Sequence, residues 1–365
     1  MATIFGTIGD DVINGSFATP TTPGADTIYA LAGDDVIVRS LGNDTIDGGA
    51  GFDALDYAGT ANTVVVNVSV GLLCEIGAGG VLMKFDIINS IEEFRTGSGD
   101  DLLQGSGADE NFAPGLGSDQ VRGGGGLDTV IYGTASARVF VDLVRGFALD
   151  WDDFRDTLQD IEGARGGAFN DVLRAGADFT FLRGNKGADT LISGYDGKAS
   201  TSGATSADYG SGPAGVTVDL KAGTATDDWG DHDLLVGNFY GVRGSAFADT
   251  LLGNDLNNGF RPRGGADIID GRSGSDTADY GDATLTVRVV LGTGGSVDTI
   301  SSGRDRYFSI GNIVDGSARD FLTGDAGANR IEGRDGNDII AGGRALTCCW
   351  AGPATTTSPA AWGRT

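Results

Sequence analysis

The 365-residue chain contains 64 glycines, has 25 Lys and Arg against 51 Asp and Glu, and carries a formal net charge of -26. That imbalance excludes a nucleic-acid surface, which needs clustered cations, and no apolar stretch is long enough to span a bilayer. Glu is scarce and Asp supplies nearly all of the acid. A solvated acidic tail would not favour the shorter carboxylate, whereas a turn that aims an oxygen at a cation would. Of the 3 cysteines only Cys74 lies in the body of the chain, so no disulfide framework is expected. Met1 to Gly6 has no charged region followed by an apolar run, so no N-terminal secretory signal is read there.

An early Asp11 with Ile13 opens the chain's repetitive pattern. Asp26, Asp35, Asp44 and Asp53 then stand nine apart, each followed two residues later by Ile28, Ile37, Ile46 or Leu55. Glycine-rich turns precede most of them, giving G-x-x-G-x-D-x-U-x with U a large apolar residue; Gly48-Gly49-Ala50-Gly51-Phe52-Asp53-Ala54-Leu55-Asp56 is the clearest copy. This is the nonapeptide pattern of a calcium β-roll. The register returns at Asp101, Glu110, Asp119 and Asp128, at Asp171, Thr180 and Asp189, at Asp249, Asn258, Asp267 and Asp276, and at Asp320, Asn329 and Asp338. The matching apolar residues are Leu103, Phe112, Val121 and Val130; Leu173, Leu182 and Leu191; Leu251, Phe260, Ile269 and Ala278; and Leu322, Ile331 and Ile340.

Between the blocks a longer repeat appears. Tyr57, Tyr132, Tyr209 and Tyr280 are spaced by 75, 77 and 71 residues, and seven residues after each begins an alternating β-branched stretch, at Val64, Val139, Val216 and Val287. Such alternation predicts a strand. Ile91, Ile161, Phe239 and Ile310 each precede the next block's first aspartate by ten residues. The tyrosines, Ile91-Glu92 and Ile161-Glu162 read as packing elements, Asp142 and Asp219 as solvent-facing strand residues with extra ligation as the alternative, and Asp150 to Glu162 as a short helical turn. The divisions are 1–57, 58–132, 133–209, 210–280, 281–343 and a non-repeat tail, 344–365.

The x-U-x part predicts a very short strand with U pointing inward, and the glycines permit the tight turn. Two nonapeptides make one coil, so residues eighteen apart stack. The predicted fold is all-β: a parallel β-roll, a calcium-binding β-solenoid, with strand-rich segments between the nonapeptide blocks. Calcium takes six to eight oxygens, more than one turn offers, so two stacked turns share an ion. The candidate pairs are Asp26 with Asp44, Asp35 with Asp53, Asp101 with Asp119, Asp171 with Asp189, Asp249 with Asp267, and Asp320 with Asp338. Asp11, Asp128 and Asp276 complete the candidate metal ligands. In every later block the second position has lost its aspartate, becoming Glu110, Thr180, Asn258 or Asn329. Those blocks are expected to be one-sided, and only Asp26 to Asp53 to load both sides. The chain is expected to fold on binding calcium, at affinities of about 10⁻⁴ to 10⁻³ M.

These blocks, together with Arg243 to Leu251 and Gly333 to Ile340, resemble the RTX or hemolysin-type calcium-binding repeat proteins of bacteria, over nearly all of residues 6–343. The resemblance implies Ca2+ as the cofactor, export through type I secretion machinery that reads a C-terminal signal, and folding outside the cell. Few copies have the full G-G-x-G-x-D, and the intervening segments make the roll discontinuous. Because such rolls are often appended to extracellular enzymes, the alternatives are a module of a larger protease, lipase or polysaccharide-modifying enzyme, and an adhesin or surface spacer. Trp151 and Trp229 leave an extracellular glycan partner open.

No catalytic residue is assigned. His232, the sole histidine, lies between Asp231 and Asp233 and reads as a solvated loop residue; H-E-x-x-H, G-x-S-x-G and G-x-x-x-x-G-K-[ST] are all missing from the sequence. After Gly343 the pattern stops at Cys348-Cys349-Trp350. Read with a one-base offset, synonymous codon choices permit D-L-L-L-G-G-x-G-N-D-Y-L-A-G-G-x-G-x-D, which continues the register. The tail is therefore expected to be frameshifted, with further repeats and the export signal in the ancestral protein.

Overall fold

The computed structural model describes residues 2–14, 21–149, 154–176, 180–194, 204–292, 295–299, 304–342 and 348–351. They fall in two compact units, Met1–Gly176 and Ala177–Thr365. Each unit is built almost wholly from strands of three to five residues; the only helical pieces described are the 3-10 turns Val68–Val70 and Ala78–Gly80.

In the first unit, successive strands alternate between two parallel sheets. Thr3–Phe5, Thr27–Tyr29 and Thr45–Asp47 stack in one, aligning Ile4, Ile28 and Ile46. Val12–Ile13, Val36–Val38 and Ala54–Asp56 stack in the other, aligning Ile13, Ile37 and Leu55. Each x-U-x strand buries its middle side chain because side chains alternate along an extended chain. Every U residue of the nonapeptide blocks is buried except Ile340, which is half-buried. The turns between strands bring coils into backbone contact: Gly51 has φ +140°, and a Cβ there would lie 2.0 Å from the carbonyl oxygen of Gly33, one coil away. Only glycine fits.

The long segments do not leave the roll. Thr63–Asn67, Leu72–Gly77 and Val81–Asn89 form an antiparallel meander within the first sheet. One outer strand pairs parallel to Thr45–Asp47, with Ile46 opposite Ile88, and the other to Leu102–Gln104, with Val66 opposite Leu103. Phe140–Asp142, Phe147–Leu149 and Arg155–Gln159 repeat this between Val121–Leu158 and Val141–Leu173. In the second unit, Thr217–Asp219, Thr224–Thr226 and His232–Val236 form one meander, and Val287–Val290, Gly295–Thr299 and Arg306–Phe308 another. Their outer strands align Leu191 with Leu235, Val218 with Leu251, Ile269 with Tyr307, and Val289 with Leu322. The strands expected after each tyrosine are thus present, and they splice into the sheet.

Two expectations are corrected. Arg155–Gln159 is a strand, not part of a helical turn, because Asp156 and Leu158 alternate inward while Arg155, Thr157 and Gln159 face out. Asp142 is fully buried, not solvent-facing: its carboxylate accepts the Arg145 amide and faces Arg174. Asp219 is part-buried and pairs with Arg272 at 2.7 Å. Asp150 and Trp151 lie outside the described residues. Of the tail, Cys348–Ala351 is a strand parallel to Arg330–Gly333, with Cys349 opposite Ile331. Residues 344–347 and 352–365 lie outside the described residues.

Phe112 is wholly buried and stacks on Phe94 at 6.1 Å between ring centroids. Phe112→Ala should destabilise the first unit by about 3–5 kcal/mol. Urea denaturation in excess calcium measures it, and a loss under ~1 kcal/mol would contradict a close-packed interior there.

Candidate metal centre

Most aspartates of the register reach back to the preceding coil. The Asp26 amide donates to Asp44 Oδ1 at 2.8 Å, Asp35 to Asp53 at 3.0 Å, Asp101 to Asp119 at 2.7 Å, Asp249 to Asp267 at 2.8 Å and Asp320 to Asp338 at 3.0 Å. Five of the candidate pairs are therefore in contact through a carboxylate and an amide. Asp171 takes the amides of Val139 and Gly167, both at 2.7 Å, and the Asp189 amide donates to Asp233 at 2.9 Å. The amide of Asp11 donates to Asp35, that of Glu110 to Asp128 and that of Asn258 to Asp276. A reciprocal bond runs the other way one residue earlier: Asp34 accepts the Phe52 amide, Asp100 that of Ser118 and Asp109 that of Leu127.

This geometry exposes carboxylates that the nine-residue count misses. Asp86, Asp156, Asp233 and Asp305 are buried, and their Oδ1 atoms accept the amides of Asp44, Asp119, Asp189 and Asp267. Each also accepts the hydroxyl of the long-repeat tyrosine: Tyr57 to Asp86, Tyr132 to Asp156 at 2.7 Å, Tyr209 to Asp233 at 3.1 Å and Tyr280 to Asp305 at 2.7 Å. Asp86-x-Ile88, Asp156-x-Leu158, Asp233-x-Leu235 and Asp305-x-Tyr307 keep the D-x-U spacing, which is the signal that could have found them. Glu92 and Glu162, read as packing residues, supply Oε2 to the amides of Asp53 and Asp128.

One oxygen of each carboxylate is thus fixed, and the other is commonly left over. Oδ2 of Asp35, Asp53, Asp119, Asp128, Asp267, Asp276, Asp320 and Asp338 is buried and has no hydrogen-bond donor. Buried, unpartnered carboxylate oxygens are costly. Asp315 adds a third such oxygen to those of Asp320 and Asp338, and one oxygen from each of the three lies within 4.8 Å of the others. Sequence reading missed Asp315 because it stands where the repeat has its first glycine.

The second positions that lack aspartate differ. Asn258 Nδ2 donates to the carbonyls of Phe239 and Tyr240, at 3.2 and 3.1 Å, and Asn329 Nδ2 to that of Gly311 at 2.9 Å. A neutral amide here supplies donors between coils. Glu110 accepts the Ser106 hydroxyl, and Thr180 is buried. His232 is exposed at the start of its strand, its ring 3.1 Å from Thr226 Oγ1.

Burial raises many of these carboxyls. Desolvation pushes Asp119 up to about 9, with Asp156 and Asp101 adding repulsion, and Asp315 up to about 8, with Asp320 and Asp338 nearby. Burial likewise takes Asp276 to about 7 and Asp101 and Asp171 to about 6, and raises Asp267 beside Asp305. A cation beside such groups favours their ionised form. The residues therefore fit a hard divalent ion that takes oxygen ligands, with carboxylates and turn carbonyls as donors.

A roll of stacked, carboxylate-lined turns defines a cation-binding β-solenoid. A family model for the RTX calcium-binding nonapeptide repeat matches residues 3–17, 21–55, 89–121, 165–194 and 314–345, so the chain carries RTX calcium-binding nonapeptide repeats in these segments. RTX nonapeptide repeats bind Ca2+. Against the curated proteins the chain has no match. Among solved structures it is similar to the extracellular lipase LipA from Serratia marcescens, at 17% identity and a TM-score of 0.22, over 84% of this chain and 38% of the lipase chain. The chain thus spans well under half the length of that protein. Among the described residues no helix is long and apolar enough to cross a membrane.

The sign of the pH dependence follows. Metal-free, the folded carboxyls of Asp119, Asp315 and Asp276 lie above the unfolded value near about 3.9, so the folded state holds protons that the unfolded state has released. Stability is then present at low pH and is lost as pH rises from about 4 towards 9. In chelator the residual β signal by circular dichroism should be stronger at pH 5 than at pH 8. A metal-free β signal that grows between pH 5 and pH 8 would overturn this account.

Proposed function

We propose that the chain is a non-catalytic calcium-dependent β-roll of an exported protein, one that stays largely unfolded without calcium and folds outside the cell when Ca2+ joins its coils. The observation that carries this reading is the column of buried Oδ2 atoms without donors, each beside an Oδ1 already engaged by the preceding coil. Asp11, Asp26, Asp35, Asp44, Asp53, Asp101, Asp119, Asp128, Asp171, Asp189, Asp249, Asp267, Asp276, Asp320 and Asp338 are proposed as the carboxylate ligands, and Asp315 joins them. When bound, calcium neutralises the carboxylates and bridges successive turns. The protein's own contribution is to hold one oxygen of each carboxylate by an amide so that the other points into the turn. Passage through type I secretion machinery is proposed from the family's habit, and low cytoplasmic calcium would keep the chain unfolded for that passage.

Circular dichroism during a calcium titration tests the proposal. The β signal should be weak in chelator and appear with a midpoint of about 10⁻⁴ to 10⁻³ M; the same signal in chelator and in millimolar calcium would sink it. Ligand charge tunes such sites, so the three-carboxylate turn should bind more tightly than its neighbours. Asp315→Gly, which restores the repeat's glycine, should weaken the tightest site about tenfold in isothermal titration; an unchanged tight phase would remove Asp315 from the ligands.

A further inference from the structure

The coil junction between Asp44 and Asp86 differs from its equivalents. On the strand Val81–Asn89 the side chains of Lys84, Asp86 and Ile88 alternate to the buried face. Lys84 is only 5% exposed, yet it carries an ammonium. Its Nζ lies 3.0 Å from Asp86 Oδ2 and 3.8 Å from Asp44 Oδ2, donates to the Ser40 carbonyl at 2.8 Å, and sits 5.0 Å from the centre of the Tyr57 ring. Two carboxylates from successive coils and a turn carbonyl thus converge on one buried cation. They are the donor types that a calcium ion would recruit at a junction of this roll.

We propose that Lys84 is a tethered cation that takes the place of calcium at this junction, so that the Asp44–Asp86 step closes without metal and Asp44 is withdrawn from the calcium ligands named above. The inference rests on the calcium reading above and assigns to Lys84 the choice of which junctions need the ion. Oδ2 of Asp44 accepts the Ser40 hydroxyl at 2.6 Å and faces the Lys84 ammonium at 3.8 Å, while Oδ2 of Asp86 is engaged by Tyr57 and Lys84. At the equivalent junctions Asp119 Oδ2 and Asp267 Oδ2 are buried with no donor. The sequence explains the difference: two residues before the meander aspartate stands Lys84 in the first meander, Phe154 in the second, Asp231 in the third and Gly303 in the fourth. Phe154 is 41% exposed, and Asp231 is another acid, whose Oδ2 accepts the Gly187 amide. A four-carbon stem on the inward face places the ammonium at the junction, and its aliphatic part stays in the protein. Removing one partner of a buried ion pair strands the other charge. Loss of Lys84 should therefore turn the junction into one that needs calcium.

Hydrogen exchange read by mass spectrometry on the full chain, in chelator and in calcium, tests this beside calcium stoichiometry from isothermal titration. In chelated wild type, peptides covering residues 44–47 and 86–89 should exchange at least tenfold more slowly than those covering 119–122 and 156–159. Lys84→Met, which keeps the stem and removes the charge, should lose that protection in chelator, regain it in calcium, and bind one calcium more than wild type. Equal exchange of the two junctions in chelated wild type would overturn the proposal, and so would unchanged protection of Lys84→Met in chelator. If the variant fails to fold even in calcium, the wild-type comparison decides by itself. Failure of the calcium reading shows separately, as no calcium uptake by wild type at any junction.

Discussion

The structure depends on one contact: a backbone amide of one coil donating to a carboxylate of the next. It recurs between Asp35 and Asp53, between Asp101 and Asp119, and between Asp249 and Asp267. The bond fixes the spacing of coils and the orientation of the side chain together. It also creates the electrostatic problem, because a carboxylate held against backbone in a turn keeps a second oxygen away from water. Desolvation then raises Asp119 and Asp315 far above the ordinary carboxyl range. The chain answers this with different cations or substitutes at different junctions. Calcium suits the carboxylate turns, a side-chain amide serves at Asn258 and Asn329, and an ammonium serves at Lys84.

The core alone is a thin support for so long a chain. Each nonapeptide contributes about one large apolar side chain, and some steps contribute only alanine, as at Ala164, Ala207 and Ala278. Hydrophobic burial scales with apolar area, so these steps gain little from it. Aromatic stacking of Phe94 on Phe112 and the buried tyrosines compensate at particular coils. The tyrosines do more than pack, since each hydroxyl ends on the meander carboxylate. That bond ties the second sheet's exit to the first sheet's re-entry.

Much of this was legible in the sequence, and the limits have a physical cause. Within a block the coil is eighteen residues, so spacing alone locates Asp26, Asp44, Asp101 and Asp119 and the apolar residues two beyond them. Across a meander the chain reverses direction twice and its length varies: Asp44 to Asp86 spans 42 residues and Asp119 to Asp156 spans 37. Counting fails there although the D-x-U triplet survives. Glu92 and Glu162 were legible as recurrent but not as carboxylates of the column, because a one-carbon-longer acid reaches the same amide from a shifted backbone. Asp142 misled because an aspartate on an alternating strand ordinarily faces water, and here two arginines approach it. Asp315 was hidden by occupying a glycine's place.

The meanders carry a consequence for how such a chain can change length. Both outer strands of the first meander offer the same parallel edge as an ordinary coil, one to Thr45–Asp47 and the other to Leu102–Gln104. A segment bounded in this way can be gained or lost by duplication while every coil on either side keeps its phase. The tyrosine spacings of 75, 77 and 71 residues are what repeated copying of one such cassette would leave behind. The hairpin tips within each cassette, lying off the coil's own path, are then the places where new sequence accumulates without disturbing the stack.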